Sequence, residues 1–179
     1  MYPCDVVLAA NGDLLVSDDH AIRLVTPGGT VRTLAGSGHP GFVDGQGPAA
    51  QFNEPMGLAL DTDGSLLVAD SSNHAIRRVT MAGAVSTVVG NGEPGFADGS
   101  GAAARFFFPI DIVVDGEGTI VVADCNNHRL RKIVGDEVTT LAGSSEAGIA
   151  DGTGAGARFN KPVCVALDER VRLLVIESN

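Results

Sequence analysis

The chain has 179 residues, 12 Lys and Arg against 22 Asp and Glu, and 44% hydrophobic residues, which fits one compact domain or part of one. Its formal net charge of −10 repels phosphate backbones and anionic lipid surfaces, so nucleic acid and membranes are disfavoured as partners. No apolar run reaches the roughly 20 residues that a membrane-spanning helix needs, and the N-terminus lacks a basic segment followed by an apolar one.

The cysteines Cys4, Cys125 and Cys164 are odd in number, widely separated and without a CxxC pair. This pattern predicts neither a disulfide framework nor a zinc site. It favours a reducing compartment, and we expect a cytoplasmic protein.

Three sequence patterns recur along the chain at one spacing. GFVDG at residue 41 returns as GFADG at 95 and GIADG at 148, intervals of 54 and 53 residues. An Ala-x-Phe-x-x-Pro element and a histidine-containing element keep the same register, with Phe52, Phe106 and Phe159 in the first and His20, His74 and His128 in the second. A period of this length is the signature of a repeat architecture.

Within one repeat, short apolar runs rich in β-branched residues predict four strands, at Gly57–Leu60, Leu66–Ala69, Ala75–Val79 and Val85–Val89. Asp63-Gly64 supplies a tight turn between the first two, and residues 81–83 a turn between the last two. No stretch shows the 3.6-residue period of a helix. Because a four-stranded unit cannot bury its own faces, the units stack radially, and the sequence predicts an all-β fold of the β-propeller type.

In chain order, the sequence predicts blades 1 to 3 at 3–36, 55–90 and 109–143, and a partial blade 4 at 162–179. The first, second and third connectors, at 37–54, 91–108 and 144–161, join them. With about 53 residues per unit, the single region 1–179 holds about 3.4 blades. An open arc exposes a blade face and strand edges, so we expect either part of a longer propeller, with the missing blades elsewhere in the chain, or half of a homodimeric ring.

The segment from Pro55 to Val79 follows the pattern P-x-G-[IL]-x-[LV]-D-x-x-G-x-[LI]-x-V-A-D-x-x-N-H-x-[IL]-R-[KR]-[VI], and residues 109–133 nearly do so. They resemble the NHL repeat, and the GxxGxxDGxGxxAxF connectors are similar to an NHL subtype of plant, algal, bacterial and thioredoxin-fused proteins. The resemblance implies a propeller that usually closes with six blades. Two copies depart from the pattern, since residues 17–20 lack two loop residues and Glu177 replaces the aspartate of the other copies.

Strand order places the connectors and the turns between second and third strands on one face of the propeller. Long loops on a rigid scaffold are where binding residues concentrate, so this face is the candidate functional surface. Phe107 and Phe108 occur in one copy only, and His39 is the one histidine outside the repeat register. We interpret these three as candidate contact residues.

Residues that recur at equal repeat positions are interpreted as structural. The three repeat histidines are expected to hydrogen-bond a loop carbonyl or the adjacent aspartate rather than to bind a metal. Asp70 and Asp124 are expected to accept N–H groups ahead of them, as in Asx turns. The GxxDG aspartates Asp44, Asp98 and Asp151 are interpreted as turn-forming rather than calcium-binding, and the Phe52, Phe106 and Phe159 rings as filling gaps between blades. No metal or cofactor is predicted.

Equivalent positions differ near the start of each first strand, where the sequence has Asp5, Gly57, Asp111 and Cys164. This divergence fits axial residues adapted to a ligand, and it also fits drift. Asp5 and Asp111 could form a carboxylate pair across a channel for metal or general-base chemistry. Against this, the chain has no GxSxG, HExxH or phosphate-loop motif.

The leading functional hypothesis is a non-catalytic interaction scaffold that presents the loop-rich face to a protein or peptide. Two alternatives stay open. One is a metal-dependent hydrolase or lyase that uses the axial carboxylates, an activity that the family resemblance permits. The other is a segment of a larger enzyme whose activity lies in other domains.

Overall fold

A computed structural model describes residues 3–170 and 172–178, so the predictions for residues 1, 2, 171 and 179 lie outside it. The described part contains β-strands and single turns of 3-10 helix and no α-helix. No helix in it is long and apolar enough to cross a membrane. The prediction of an all-β propeller of stacked antiparallel sheets is confirmed.

The strands of blades 1 to 3 follow one another in the sheet in sequence order. Blade 1 comprises β1 (Pro3–Leu8), β2 (Leu14–Asp18), β3 (Ala21–Val25) and β4 (Val31–Ala35). Blade 2 comprises β6 (Pro55–Leu60), β7 (Leu66–Asp70), β8 (Ala75–Val79) and β9 (Ala84–Val89). Blade 3 comprises β11 (Pro109–Val114), β12 (Ile120–Asp124), β13 (Arg129–Val134) and β14 (Glu137–Gly143). The partial blade 4 has β15 (Pro162–Leu167) and β16 (Leu173–Glu177).

The hairpin turns follow from local chemistry. In blade 2, Gly64 has a φ of +82°, which a residue without a Cβ adopts readily. The Asp63 carboxylate accepts the Ser65 backbone N–H at 2.8 Å and the Ser65 hydroxyl at 2.6 Å. This Asp-Gly turn fixes the register of β6 and β7, because a tight turn sets which residues pair across a hairpin.

The connectors differ from the loops that the sequence predicted. The first two each contain a short strand, β5 (Gly45–Gln46) and β10 (Gly99–Ser100), which pairs with the outermost strand of the following blade. Blades 2 and 3 therefore have five strands rather than four. A single 3-10 turn follows in each connector, at Gly47–Ala49, Gly101–Ala103 and Gly154–Gly156. The added strand covers an edge that would otherwise expose unpaired backbone groups.

The hydrophobic core lies between successive blades. The first strands β1, β6, β11 and β15 pack against one another in series. The rings of Phe52 and Phe106 are fully buried and belong to two core clusters, the first formed with blades 1 and 2 and the second with blades 2 and 3. Each connector therefore contributes a phenylalanine to the contact between the blades that it joins.

Candidate functional site

A buried arginine holds each of the first two connectors onto the following blade. The Arg77 guanidinium is fully buried and donates to the carboxylates of Asp70 at 2.7 Å and Asp44 at 2.6 Å. It also donates to the backbone carbonyls of Gln51 and Val43, at 3.2 and 3.1 Å. We call this arrangement, together with the Ala-x-Phe element beside it, the connector clamp. It joins β8 to the two segments of the connector that lie before and after its 3-10 turn.

Blade 3 contains the same clamp. Arg131 is fully buried and donates to Asp124 at 2.8 Å and Asp98 at 2.7 Å, and to the carbonyls of Arg105 and Ala97. The guanidinium carbon lies 4.8 Å from the centre of the Phe96 ring and 5.1 Å from that of Phe106. Charge-assisted hydrogen bonds from the two terminal nitrogens compensate for the burial of the cation, while the Nε of Arg131, like that of Arg77, has no partner.

The GxxDG aspartates have different environments. Asp44 accepts from Arg77 and from the Thr87 backbone and hydroxyl, and Asp98 accepts from Arg131 and Thr140. Partial burial raises the pKa of the Asp44 carboxyl, but the hydrogen bonds from Arg77 and Thr87 outweigh it and lower the pKa overall. Asp151, in the third connector, is exposed.

Asp70 and Asp124 accept backbone N–H groups from residues that precede them in the sequence. The predicted Asx turns would involve residues that follow them. Asp70 accepts the Asn53 N–H at 2.8 Å, and Asp124 accepts the Phe107 N–H at 2.8 Å. In blade 4, Glu177 accepts the equivalent Asn160 N–H at 2.6 Å. The glutamate that replaces aspartate at this position therefore keeps one of the hydrogen bonds that the aspartates make.

The repeat histidines join neighbouring blades. Each Nδ1 accepts the backbone N–H of the residue before the next blade's proline, for His20 from Glu54, for His74 from Phe108 and for His128 from Lys161, at 3.1 to 3.2 Å. The expected partner was a carbonyl or carboxylate, so the direction of the bond is reversed. A ring that accepts through Nδ1 must be unprotonated there. Burial lowers the pKa of both His74 and His128, and the positive charges of Lys161 and Arg129 lower that of His128 further.

The four divergent axial positions line one cavity of about 280 Å³, together with Cys4, Met56, Ile110 and Val163. Asp5 and Asp111 thus face a common space. Burial raises the pKa of the Asp5 carboxyl; N–H bonds from Leu58 and Val6 oppose the shift, and the Asp111 charge adds to it.

Both axial carboxylates serve as links between blades. Asp5 accepts the Val6 N–H and, across to blade 2, the Leu58 N–H, each at 2.8 Å. Asp111 accepts the Ile112 N–H at 2.9 Å and, across to blade 4, the Val165 N–H at 2.8 Å. All four carboxylate oxygens therefore already accept a backbone hydrogen bond.

Close packing between blades 2 and 3 accounts for Gly57, which occupies the equivalent position of blade 2. A Cβ on Gly57 would lie 2.6 Å from the Asp111 Cα and 2.7 Å from its Oδ1. No side chain fits there without movement of blade 3. Divergence at this position thus has a steric source that sequence comparison between the repeats did not reveal.

The axial residues do not assemble a metal site in the described part of the chain, where no group of three His, Cys, Asp or Glu side chains is placed to hold an ion. Burial raises the pKa of the Cys164 thiol, as do a hydrogen bond to Asp111 and the charges of Asp111 and Asp5. Burial and nearby carboxylates, first that of Asp5, raise the pKa of Cys4 as well. A raised pKa disfavours the thiolate form on which a cysteine nucleophile depends.

The connector face carries several half-exposed apolar side chains. Phe42, Phe96 and Ile149 occupy one repeat position and are 38%, 46% and 79% exposed. Phe107 is 40% exposed and meets the His74 ring edge-on at 5.8 Å, while Phe108 is only partly exposed. His39 is exposed on the first connector.

Asn73 and Asn127 have roles that the sequence analysis missed. Each donates through Nδ2 both to the aspartate of its clamp and to a connector carbonyl, that of Gly41 or Gly95, at 2.7 to 2.8 Å. These bonds place the turns after β7 and β12 on the same face as the connectors. Recurrence of Asn before His was the available signal.

We expect Gly57→Ala to lower the free energy of unfolding by about 1–3 kcal/mol, because the added methyl overlaps Asp111. The control is Gly116→Ala, where a Cβ meets nothing within 4 Å. Urea denaturation at pH 7.5 checks both. Equal stabilities would mean that ligand-related divergence, rather than packing, explains the glycine.

We expect the protein to lose stability as the pH falls below about 6.5, the ordinary histidine pKa. The folded-state pKa values of His74 and His128 are lowered, so the unfolded chain takes up protons first and is favoured as the pH falls. Replacing both residues by Asn keeps an acceptor and removes the titration. The double variant should show a smaller decrease in stability between pH 7.5 and 5.5, measured by urea denaturation, and an unchanged decrease would contradict the assignment.

Comparison with known proteins identifies the repeat. The family model for the NHL repeat matches residues 52–78 and 106–133. The chain is 30% identical over 164 residues to Protein SUPPRESSOR OF QUENCHING 1, chloroplastic, of Arabidopsis thaliana, covering 84% of this chain and 16% of that protein. It is 33% identical over 128 residues to human NHL repeat-containing protein 2, covering 68% of this chain and 18% of that protein. The chain thus spans less than a fifth of the length of these curated relatives.

Solved structures show the same fold at low identity. Virginiamycin B lyase of Staphylococcus aureus, in a catalytically inactive form with quinupristin, superposes with a TM-score of 0.64 at 14% identity, over 98% of this chain and 48% of that one. A chain of a nidogen–laminin complex superposes with a TM-score of 0.68 at 16% identity, over 98% of this chain and 56% of that one. The assignment to the connector-bearing subtype stays a prediction. On the repeat match, the relatives and the sheet architecture, the chain belongs to the NHL repeat family of β-propeller proteins.

Proposed function

We propose that this chain is a non-catalytic interaction scaffold whose connector face binds a protein or peptide. The observation that carries the proposal is the repeated exposure of a large apolar side chain at one connector position, together with the exposed Phe107 near the end of the second connector. Exposed apolar groups that cluster on one face mark interaction surfaces. NHL repeats commonly mediate protein interactions, which agrees with this assignment.

Rigidity supports a role in binding. Phe96 lies over the Arg129 and Arg131 guanidinium groups, with carbon-to-centroid distances of 3.9 and 4.8 Å. Phe42 stacks on Arg77 at 4.8 Å. Side chains that are already ordered lose little conformational entropy when they bind, so aromatic groups held in this way suit contact with a partner.

The charge of the molecule favours a partner with basic as well as apolar groups. The net charge is −10, and the connectors carry Asp151, Glu93 and Glu146 beside the apolar positions. Complementary potentials accelerate association and suppress binding to acidic partners. We therefore propose a basic or mixed protein surface, in the same reducing compartment that the unpaired Cys125 and Cys164 favour.

The axial cavity supports an enzyme less well. Asp5 and Asp111 share the cavity, but each carboxylate oxygen already holds a blade-linking or local backbone N–H. Binding of a metal or a substrate by these carboxylates would compete with those hydrogen bonds. Any activity of a longer protein that contains this region is a separate proposal, because the chain spans a small part of its relatives.

Affinity capture with the whole chain as bait tests the scaffold proposal. We expect Phe107→Ala and Phe96→Ala to reduce recovery of specific partners at least about tenfold, as loss of a hot-spot aromatic does. The matched control is Leu8→Ala, which removes a 64% exposed side chain at the far end of β1. Recovery that is equal for all three variants, with unchanged melting temperatures, would contradict binding through this face.

A further inference from the structure

An open socket lies on blade 1 where blades 2 and 3 hold their connectors. A cavity of about 280 Å³ is lined by Pro3, Val16, Asp18, Arg23, Val25 and Val31. Strand register makes these residues equivalent to Pro55, Val68, Asp70, Arg77, Val79 and Val85 of blade 2. In blade 2 all six are buried, whereas Val31 of blade 1 is 55% exposed.

The phenylalanine of an Ala-x-Phe element occupies this position in the other two blades. Ala50 and Phe52 are fully buried in one core cluster with Val68, Val79 and Val85. Ala104 and Phe106 are fully buried in another, with Val122, Ile133 and Val138. The same apolar walls exist in blade 1, so the socket has the shape to accept a phenyl ring.

A buried carboxylate oxygen of the socket is also unsatisfied. In blade 2, Arg77 donates to two carboxylates and two carbonyls, and Asp70 accepts a connector N–H. In the described part of blade 1, the buried Asp18 Oδ1 has no hydrogen-bond partner, whereas no carboxylate oxygen of Asp70 or Asp124 is left unpaired. Buried polar atoms are normally paired, so an unpaired buried carboxylate oxygen points to a missing donor.

In the described part of the chain, the outer edge of blade 1 lacks the strand that blades 2 and 3 gain. Gly45 of β5 pairs with Val85, and Gly99 of β10 pairs with Val138. Val31 on β4 is the equivalent position, and the sheet of blade 1 has only four strands. An added strand would meet backbone groups that are ready to pair, a common mode of peptide recognition.

We propose that this socket is a binding site for a connector-type segment that lies outside residues 1–179. The ligand carries an Asp-Gly pair and an Ala-x-Phe element. Its phenylalanine follows its aspartate by eight residues, as Phe52 follows Asp44. Its aspartate pairs with Arg23, a backbone N–H donates to Asp18, and its phenyl ring fills the cavity. This site lies on blade 1 and does not depend on the connector face proposed above.

The test is fluorescence anisotropy with a labelled peptide of residues 38–54, GHPGFVDGQGPAAQFNE, titrated with the whole chain. We expect saturable binding that weakens at least about tenfold when the peptide carries Phe52→Ala or Asp44→Ala. Val31→Asp in the protein should weaken binding to a similar extent. Val134→Asp, which changes a valine that is 56% exposed at the end of β13, should leave it unchanged.

Three results would overturn the proposal. The peptide does not bind, or it binds the Val31→Asp and Val134→Asp variants equally. Alternatively, light scattering shows a dimer that Val31→Asp alone dissociates, which would make the socket a contact between copies of this chain. Phe107→Ala separates this proposal from the function proposed for the connector face, because that variant should bind the peptide as the wild type does.

Discussion

The fold depends on a buried arginine in each complete clamp. Arg77 and Arg131 hold guanidinium groups in the protein interior, where an unpaired cation would cost several kcal/mol. Connector carbonyls and two aspartates satisfy each charge, so the connector must close over the blade before the arginine can be buried. The same closure places Phe52 or Phe106 between blades. The hydrogen bonding of the buried arginine and the burial of the phenylalanine ring therefore depend on one another.

This coupling explains why the connectors are long and share the GxxDG and Ala-x-Phe elements. A loop that only joined two strands would need few residues, whereas each of the first two connectors supplies an added strand, an aspartate and a buried ring. Histidine and axial aspartate bonds add further links from blade to blade. Repeats bound by so many neighbour contacts form a stiff scaffold, on which exposed groups such as Phe107 keep fixed positions.

Much of this architecture could be predicted from the sequence. Three recurring patterns fixed the repeat, and β-branched runs with the Asp63-Gly64 turn located the strands. The direction of the His74 bond could not be predicted, because a ring nitrogen either donates or accepts according to partners brought close only by folding. The short strands β5 and β10 carry glycine at their first positions and little β propensity, so their pairing comes from tertiary context.

The site was predictable only in part. Placement of Asp5 and Asp111 around one cavity followed from repeat register, but their bonds to the next blade did not. Divergence between equivalent repeat positions indicates a ligand only where the packing around each position is the same. Gly57 does not meet this condition, since the spacing of blades 2 and 3 leaves no room for a Cβ there.

We conclude that connector side chains, and not the strands alone, hold successive blades together. The most direct measurement compares urea denaturation of two neighbouring variants, Phe106→Ala and Phe107→Ala. Phe106 is fully buried between blades and Phe107 is 40% exposed. We expect a loss of about 3–5 kcal/mol in the free energy of unfolding for Phe106→Ala and a change within about 0.5 kcal/mol for Phe107→Ala. Similar small losses for both would contradict it.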